Sequence, residues 1–308
     1  MTTTIMKNAK TAKLRSNILL LITAAIWGFA FVFQRTGMEH IGPFTFNAAR
    51  FALGTLSLLP VWWWFSSKSN EKTSINVFYY GAIAGLFLFM GSTFQQVGIQ
   101  YTTAGKAGFI TGLYIVIVPL IGLFFGQYTR KETWVGCALA LIGLYFLSIT
   151  DDLTLGYGDT LIVIGALFWA GHVLIIAKFS PKVSPIALSV VQFSICALLS
   201  LIAALFTETI DGNNILLAGE SILFTGILSV GIAYTLQVVA QQDAHPAHAA
   251  IILSLEALFA AIGGWLLLNE VLSFKAQIGC ALMLTGMVIS QIKLFKIPAT
   301  IGKKRSIG

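Results

Sequence analysis

Charge is what this 308-residue sequence has least of. Asp, Glu, Lys and Arg make up 10% of it, against 57% hydrophobic residues, and the mean hydropathy is +0.85. A soluble domain carries roughly a quarter charged residues, so most of this chain has no water-facing surface to offer. Cysteine is scarce too: Cys137, Cys196 and Cys280 are an odd set, each inside an apolar run. That argues against a disulfide framework and against a zinc site of close ligand spacing. No phosphate-cradling Walker sequence, HExxH, nucleophile elbow, channel-filter sequence or loop domain appears. These absences argue against ATP-driven pumping and against an enzyme, and they leave no cofactor or metal site to expect. The net charge of +7 sits in tails and short loops rather than on a nucleic-acid-binding face.

What remains is a succession of apolar runs. A helix needs about 20 apolar residues to cross the hydrocarbon core, and a window of that length gives ten candidates: 17–36, 43–65, 76–99, 104–126, 134–150, 159–179, 184–206, 220–241, 246–268 and 274–294. No barrel-like alternation is present, so helices are the expected spanning form. The basic N-terminal flank resembles a signal peptide, but its apolar run is long and bulky and lacks a small-x-small step, so a retained first span is expected. Lys7, Lys10, Lys13, Arg15, Lys68, Lys72, Arg130, Lys131, Lys178, Lys182 and the basic C-terminal tail then share one side, against Arg35, Lys106 and Lys275 on the other. The positive-inside rule then predicts both termini in the cytosol.

The chain also repeats itself. "AAIWGFAFVFQRTGMEHIGPFTFNAARF" (24–51) lies over "GALFWAGHVLIIAKFSPKVSPIALSVVQF" (165–193), and at an offset of 142 Trp27 meets Trp169, Pro43 meets Pro185 and Phe51 meets Phe193. "GCALALIGLYF" (136–146) lies over "GCALMLTGMVI" (279–289) at an offset of 143. The expected organisation is a first repeat over 17–150, a second over 159–294, and basic cytosolic tails at 1–16 and 295–308. Five spans per repeat is an odd number, so the second copy crosses in the opposite sense. Inverted repeats are a transporter architecture, because mirrored halves give outward- and inward-facing states of similar energy.

With these stretches, and with "LSLEALFAAIGGWLLLNEVLSFKAQIGCALMLTG" near the end, the chain resembles the drug/metabolite transporter superfamily, specifically its EamA-type ten-span permeases. The resemblance covers nearly the whole chain. It implies an all-α polytopic membrane protein of ten transmembrane helices, arranged as two inverted five-helix repeats. The family's Leu-Glu-Pro and Gly-Glu steps correspond here to Leu255-Glu256-Ala257 and Asn269-Glu270, and Gln127 or Tyr128 stands near the place of the first-half Glu. Export is the commoner direction among such proteins.

Polar groups inside the spans are the candidate site. Glu256, mid-way along the ninth span, has to be protonated, paired or facing water; it either contacts substrate, carries a proton, or fixes packing. Arg50, about seven residues into the second span, shares a helical face with Asn47 and Gly54. It suits a carboxylate or phosphate, or else it anchors the loop, snorkels outward or pairs with Glu256. The mates of Asn47, Arg50 and Gly54 are Ser189, Gln192 and Cys196. Trp27 shares a face with Phe31 and Gln34, and Trp169 with His172; these aromatics could wall a cavity or simply pack. Gln95 and Gln96, Thr111 and Tyr114, and Tyr234 and Gln237 complete the set, while Pro119 is expected to kink the fourth helix. The expectation is a secondary carrier in the lipid bilayer of the inner membrane that moves a small-molecule metabolite of amphipathic character, such as an amino acid or related compound, by alternating access, with coupling to a proton or a counter-substrate left open. An uptake carrier for a charged metabolite, a membrane enzyme or lipid-handling protein, and a homodimer stay open as alternatives.

Overall fold

The computed structural model describes residues 2–68, 75–102, 104–148, 156–268 and 273–291. Asn269-Glu270, Asp151, Asp152, Lys72 and the C-terminal tail lie outside them, as do the side chains of Lys7, Lys10 and Lys106. Among the described residues all regular structure is helical. The helices are α1 (Thr2–Gly37), α2 (Pro43–Lys68), α3 (Ile75–Ile99), α4 (Ala104–Gly112), α5 (Tyr114–Phe124), α6 (Lys131–Ser148), α7 (Tyr157–Phe179) and α8 (Pro185–Thr207). There follow α9 (Gly212–Leu217), α10 (Gly219–Leu223), a π-helical segment (Phe224–Tyr234), α11 (Thr235–Ala240), α12 (Pro246–Leu253), α13 (Glu256–Leu268) and α14 (Phe274–Gln291).

These make ten rods. Three of them are compound: α4 with α5, α10 with the π segment and α11, and α12 with α13. Seven rods are long and apolar enough to cross a membrane, and Phe274–Ser290 is a shorter apolar helix. The other two are α2, which carries Asn47, Arg50 and three consecutive tryptophans, and α6, which opens on Lys131-Glu132. Large apolar side chains cover the outside, including Leu56, Leu86, Leu198 and Leu205, as lipid-facing walls require.

The two halves run in opposite senses. At one end Ser16 Oγ, near the start of α1, donates to Ala240 O at 2.7 Å. At that same end Gln242 Nε2 donates to Ser180 O, just past the end of α7, at 2.9 Å. At the other end Phe31 and Met38, late in α1, pack with Ile162 and Val163, early in α7. The first helix of one repeat therefore lies antiparallel to the first helix of the other. Lys13, Arg130 and Lys178 gather at the first end (the basic end), while Asp159, Glu208 and Asp211 sit at the second (the acidic end).

Packing repeats the symmetry. Helix α2 packs on α8 and α6 on α14, each an element against its own repeat mate. In the α6–α14 crossing, a Cβ at Gly136 would lie 2.7 Å from Gly286 O and one at Gly143 2.6 Å from Gly279 O. Gly136 and Gly143 are the mates of Gly279 and Gly286, so this is the reciprocal pattern of a two-fold interface, built on small residues that let backbones approach. At the acidic end Glu208, following α8, accepts from Phe44 N and Thr45 N at 2.8 Å each and from Thr45 Oγ1 at 2.6 Å. A carboxylate on the free amides of α2 is a favourable cap, and it fastens the two axial helices together there.

Two stability predictions follow from these contacts. Gly143→Val should lower the thermal midpoint of the detergent-solubilised protein by an overpacking cost of about 1–3 kcal/mol. Gly108→Ala, whose added Cβ would sit 4.0 Å from Ala257 Cβ, should leave the midpoint unchanged. Equal losses would contradict the crossing geometry. Glu208→Ala should cost about 1–2 kcal/mol, the value of a helix cap, in the same unfolding measurement.

Candidate functional site

Two rods break at equivalent places. Between α4 and α5, Leu113 N bonds to Ile110 O at 3.1 Å; between α12 and α13, Leu255 N bonds to Ile252 O at 3.2 Å. Both are i→i−3 bonds, and both residues of one pair stand 142 positions from those of the other. Thr111-Gly112 weakens the helix at the first break. Ser254, whose hydroxyl turns back to Ile251 O at 2.9 Å, weakens it at the second. A tight turn inside a helix commonly marks a hinge. The first break lies upstream of Pro119, the expected kink, and α5 runs on through that proline. The carbonyl that Pro119 leaves without its helical partner, Ile115 O, takes the Cys137 thiol at 3.4 Å instead.

Immediately after each break comes the pair Tyr114 and Glu256, themselves repeat mates, and Tyr114 Oη donates to Glu256 Oε1 at 3.1 Å. Mates can touch only beside the axis that relates them, so this hydrogen bond marks the pseudo-two-fold axis. Phe51 and Phe193, another mate pair, lie with ring centroids 6.3 Å apart. Around this point is a cavity of about 40 Å³ lined by Trp27, Gln34, Arg50, Trp169, Tyr234 and Glu256, among others.

The walls are aromatic and the two charge-bearing groups stand apart. Tyr234 is the hub: its ring lies 4.5 Å from Trp27, 6.1 Å from Trp169 and 5.9 Å from Phe193. Trp27 Nε1 donates to Ser229 O, within the π segment, at 3.4 Å, and Trp169 Nε1 donates to Gln95 Oε1 at 2.8 Å. Arg50 does not snorkel. It is buried, with its guanidinium carbon 5.0 Å from the Phe51 centroid and 5.5 Å from Phe46, and its Nε has no hydrogen-bond partner. Nor does it pair with Glu256: among the described residues neither makes an ion pair, although both line the one cavity.

Of the residues singled out in the sequence, Trp27, Arg50, Tyr114, Trp169, Tyr234, Gln237 and Glu256 line the cavity. Asn47, Gln96, His172 and Gln192 do not. His172 Nε2 meets Gln192 Oε1 at 2.9 Å behind the Trp169–Tyr234 wall. Gln96 Nε2 reaches Gln34 O at 3.5 Å, and both amide atoms of Asn47 are buried without partners. Gln34, Phe31, Gln95 and Thr111, also named from the sequence, line it too, and Ser229 joins them. The first two share a helical face with Trp27 and were readable from that spacing, whereas nothing in sequence separates Gln95 from Gln96. Among the described residues there is no group of three or more His, Cys, Asp or Glu that could hold a metal ion.

On the acidic-end side of the cavity lie the Phe31–Ile162 packing, the Glu208 cap and a hydrogen bond from Thr36 or Ser221 to the other at 3.0 Å. At the basic end two larger spaces, of about 590 and 710 Å³, lie on either side of the 241–245 connection. His245 in that connection is held below the usual imidazole range by burial and then by Arg130, against a hydrogen bond with the Tyr128 backbone.

The sequence model of the EamA-like transporter family matches residues 14–149 and again 156–291. An uncharacterized transporter of Archaeoglobus fulgidus is 31% identical over 284 residues, 92% of this chain and 87% of its own. The Bacillus subtilis uncharacterized transporter YoaV is 22% identical over 275 residues, 86% of this chain and 92% of its own. A solved crystal structure superposes with a TM-score of 0.74 at 17% identity, over 89% of this chain and 95% of that one, which speaks for the fold. The chain belongs to the EamA-like transporter family.

Proposed function

We propose that this protein is a secondary carrier that moves a small amphipathic metabolite, an amino acid or related compound, across the inner membrane by alternating access, with export as its working direction. The observation that carries the reading is a guanidinium and a carboxyl, neither in an ion pair among the described residues, facing one aromatic-walled cavity on the pseudo-two-fold axis. A zwitterion fits that pair: its carboxylate on Arg50, its ammonium on Glu256 and over the aromatic faces, its side chain between Trp27 and Trp169. The rods around the cavity are broken where a hinge is needed. Positive flanks at the basic end favour cytosolic termini, so the larger spaces face the cytosol. With no ATP-binding sequence in the chain, a gradient or counter-substrate drives the cycle. Glu256 on the axis is placed to carry a proton when Tyr114 lets it go.

Uptake of a charged metabolite is the second reading, favoured by the burial of Arg50 without a carboxylate partner. An enzyme would need its reactive groups clustered at one interface; here they are spread through the depth of the bundle.

Counterflow of labelled amino acids and related metabolites into proteoliposomes tests the reading. At least one class should exchange, and no exchange across a broad panel would reject it. Arg50→Ala should raise KM for carboxylate-bearing cargo about ten- to a hundredfold, the worth of a charge-assisted hydrogen bond of about 1.5–3 kcal/mol. Unaltered KM would remove Arg50 from the site. Glu256→Gln should flatten the pH dependence of exchange while the protein still folds, and an unchanged profile would leave Glu256 a packing residue.

A further inference from the structure

Below the central cavity, at the basic end, the 590 Å³ space opens between the start of α1 and the connections 125–130 and 241–245. Its wall includes Lys13, Asn17, Arg130, Asp243, His245 and His248. Basic residues at the cytosolic end of a membrane protein ordinarily stand toward headgroups and water. Here they share one concave wall. Arg130 commits one donor to Ser290 O at 3.2 Å, leaving the rest of its five-donor fork, and it makes no ion pair among the described residues. His248 is 7% exposed. Its ring is fixed between Asn17 Oδ1 at 3.1 Å and Ser290 Oγ at 3.2 Å. Asp243 is the one carboxylate among the residues that line the space.

The space is separate from the central cavity. Going inward along α12 from His248, the chain reaches Ile251 and Ile252 before Glu256, a climb of roughly 12 Å at 1.5 Å per residue. Leu20 and Ala24 face the same depth from α1, and all four are fully buried. An apolar plug thus divides a cationic vestibule from the axial site.

We propose that this vestibule is a second binding site, for a small anion bearing a carboxylate or phosphate group, held by the Arg130 fork, with Lys13 on the same wall. Two sources supply that chemistry: a free solute, including cargo waiting to pass the plug, and the headgroup of an anionic lipid. That the anion is cargo rests on the carrier reading above; the site itself does not.

The test follows the thermal midpoint of the full chain during titration with inorganic phosphate, and separately with acetate, at ionic strength fixed with chloride. Both should raise the midpoint saturably. Arg130→Gln should raise the half-saturating concentration at least tenfold. Asp243→Asn, which removes the opposing carboxylate, should lower it several-fold, a gain that a misfolded variant could not produce. In nanodiscs, a phosphate response that survives replacement of phosphatidylcholine by phosphatidylglycerol assigns the site to solutes; its loss assigns the site to headgroups. No response beyond the chloride control, or one half-saturation shared by wild type and both variants, overturns the proposal. Failed counterflow with an intact phosphate response would remove the carrier reading alone, and the reverse would remove the vestibule alone.

Discussion

A backbone amide or carbonyl in hydrocarbon must find its partner within the protein, because no water is there to take it. Helices meet that demand along nearly all of this chain, and the places where they fail to run straight are therefore costly and few. Within the spans, among the described residues, they are the α4–α5 break, the α12–α13 break and the π-helical segment. All three meet at one cavity, where irregular backbone is enclosed by protein rather than exposed to lipid. Ser229 O takes the Trp27 indole there, and Tyr114 and Glu256 begin new helices while facing each other across the axis.

Symmetry and its violation have different roles. The frame is symmetric: α6 on α14 and α2 on α8, with the Gly136–Gly286 and Gly143–Gly279 approaches exchanged by the axis. A frame of that kind has two arrangements of similar energy, reached by exchanging the conformations of its halves. The chemistry is not symmetric. Arg50 has Gln192 for a mate, Glu256 has Tyr114, and Gln34 has Ile176. Charge enters once per kind, so the cavity has a positive and a negative side although its walls do not. The two ends also differ: the acidic end is fastened by the Glu208 cap and the Phe31–Ile162 packing, while at the basic end an apolar plug separates the cavity from the larger spaces beyond it.

Much of this was legible beforehand, for physical reasons. Spans announce themselves by length and hydropathy, and a five-span repeat fixes inversion by parity alone. The face shared by Trp27, Phe31 and Gln34 follows from helical spacing, and it does line the cavity. What was not legible depends on rotation and on tertiary partners. Gln95 and Gln96 differ by 100° about α3, and only the position of Trp169 selects the first. Helix α5 runs on through Pro119, and the Cys137 thiol takes the carbonyl that the proline leaves without its helical partner. Arg50 had an aqueous escape by its length, but Phe46 and Phe51 close over its guanidinium.

The central claim is that the inverted halves rock about the Tyr114–Glu256 axis, so that one end opens as the other closes. Spin labels on Glu39 and Thr160 report the acidic end, and labels on their repeat mates Pro181 and Ile18 report the basic end; all four positions are exposed. Electron–electron distance measurements in lipid, with and without a transported metabolite, should show the first distance lengthening while the second shortens. Two distances that stay fixed, or that change in the same direction, would contradict the account.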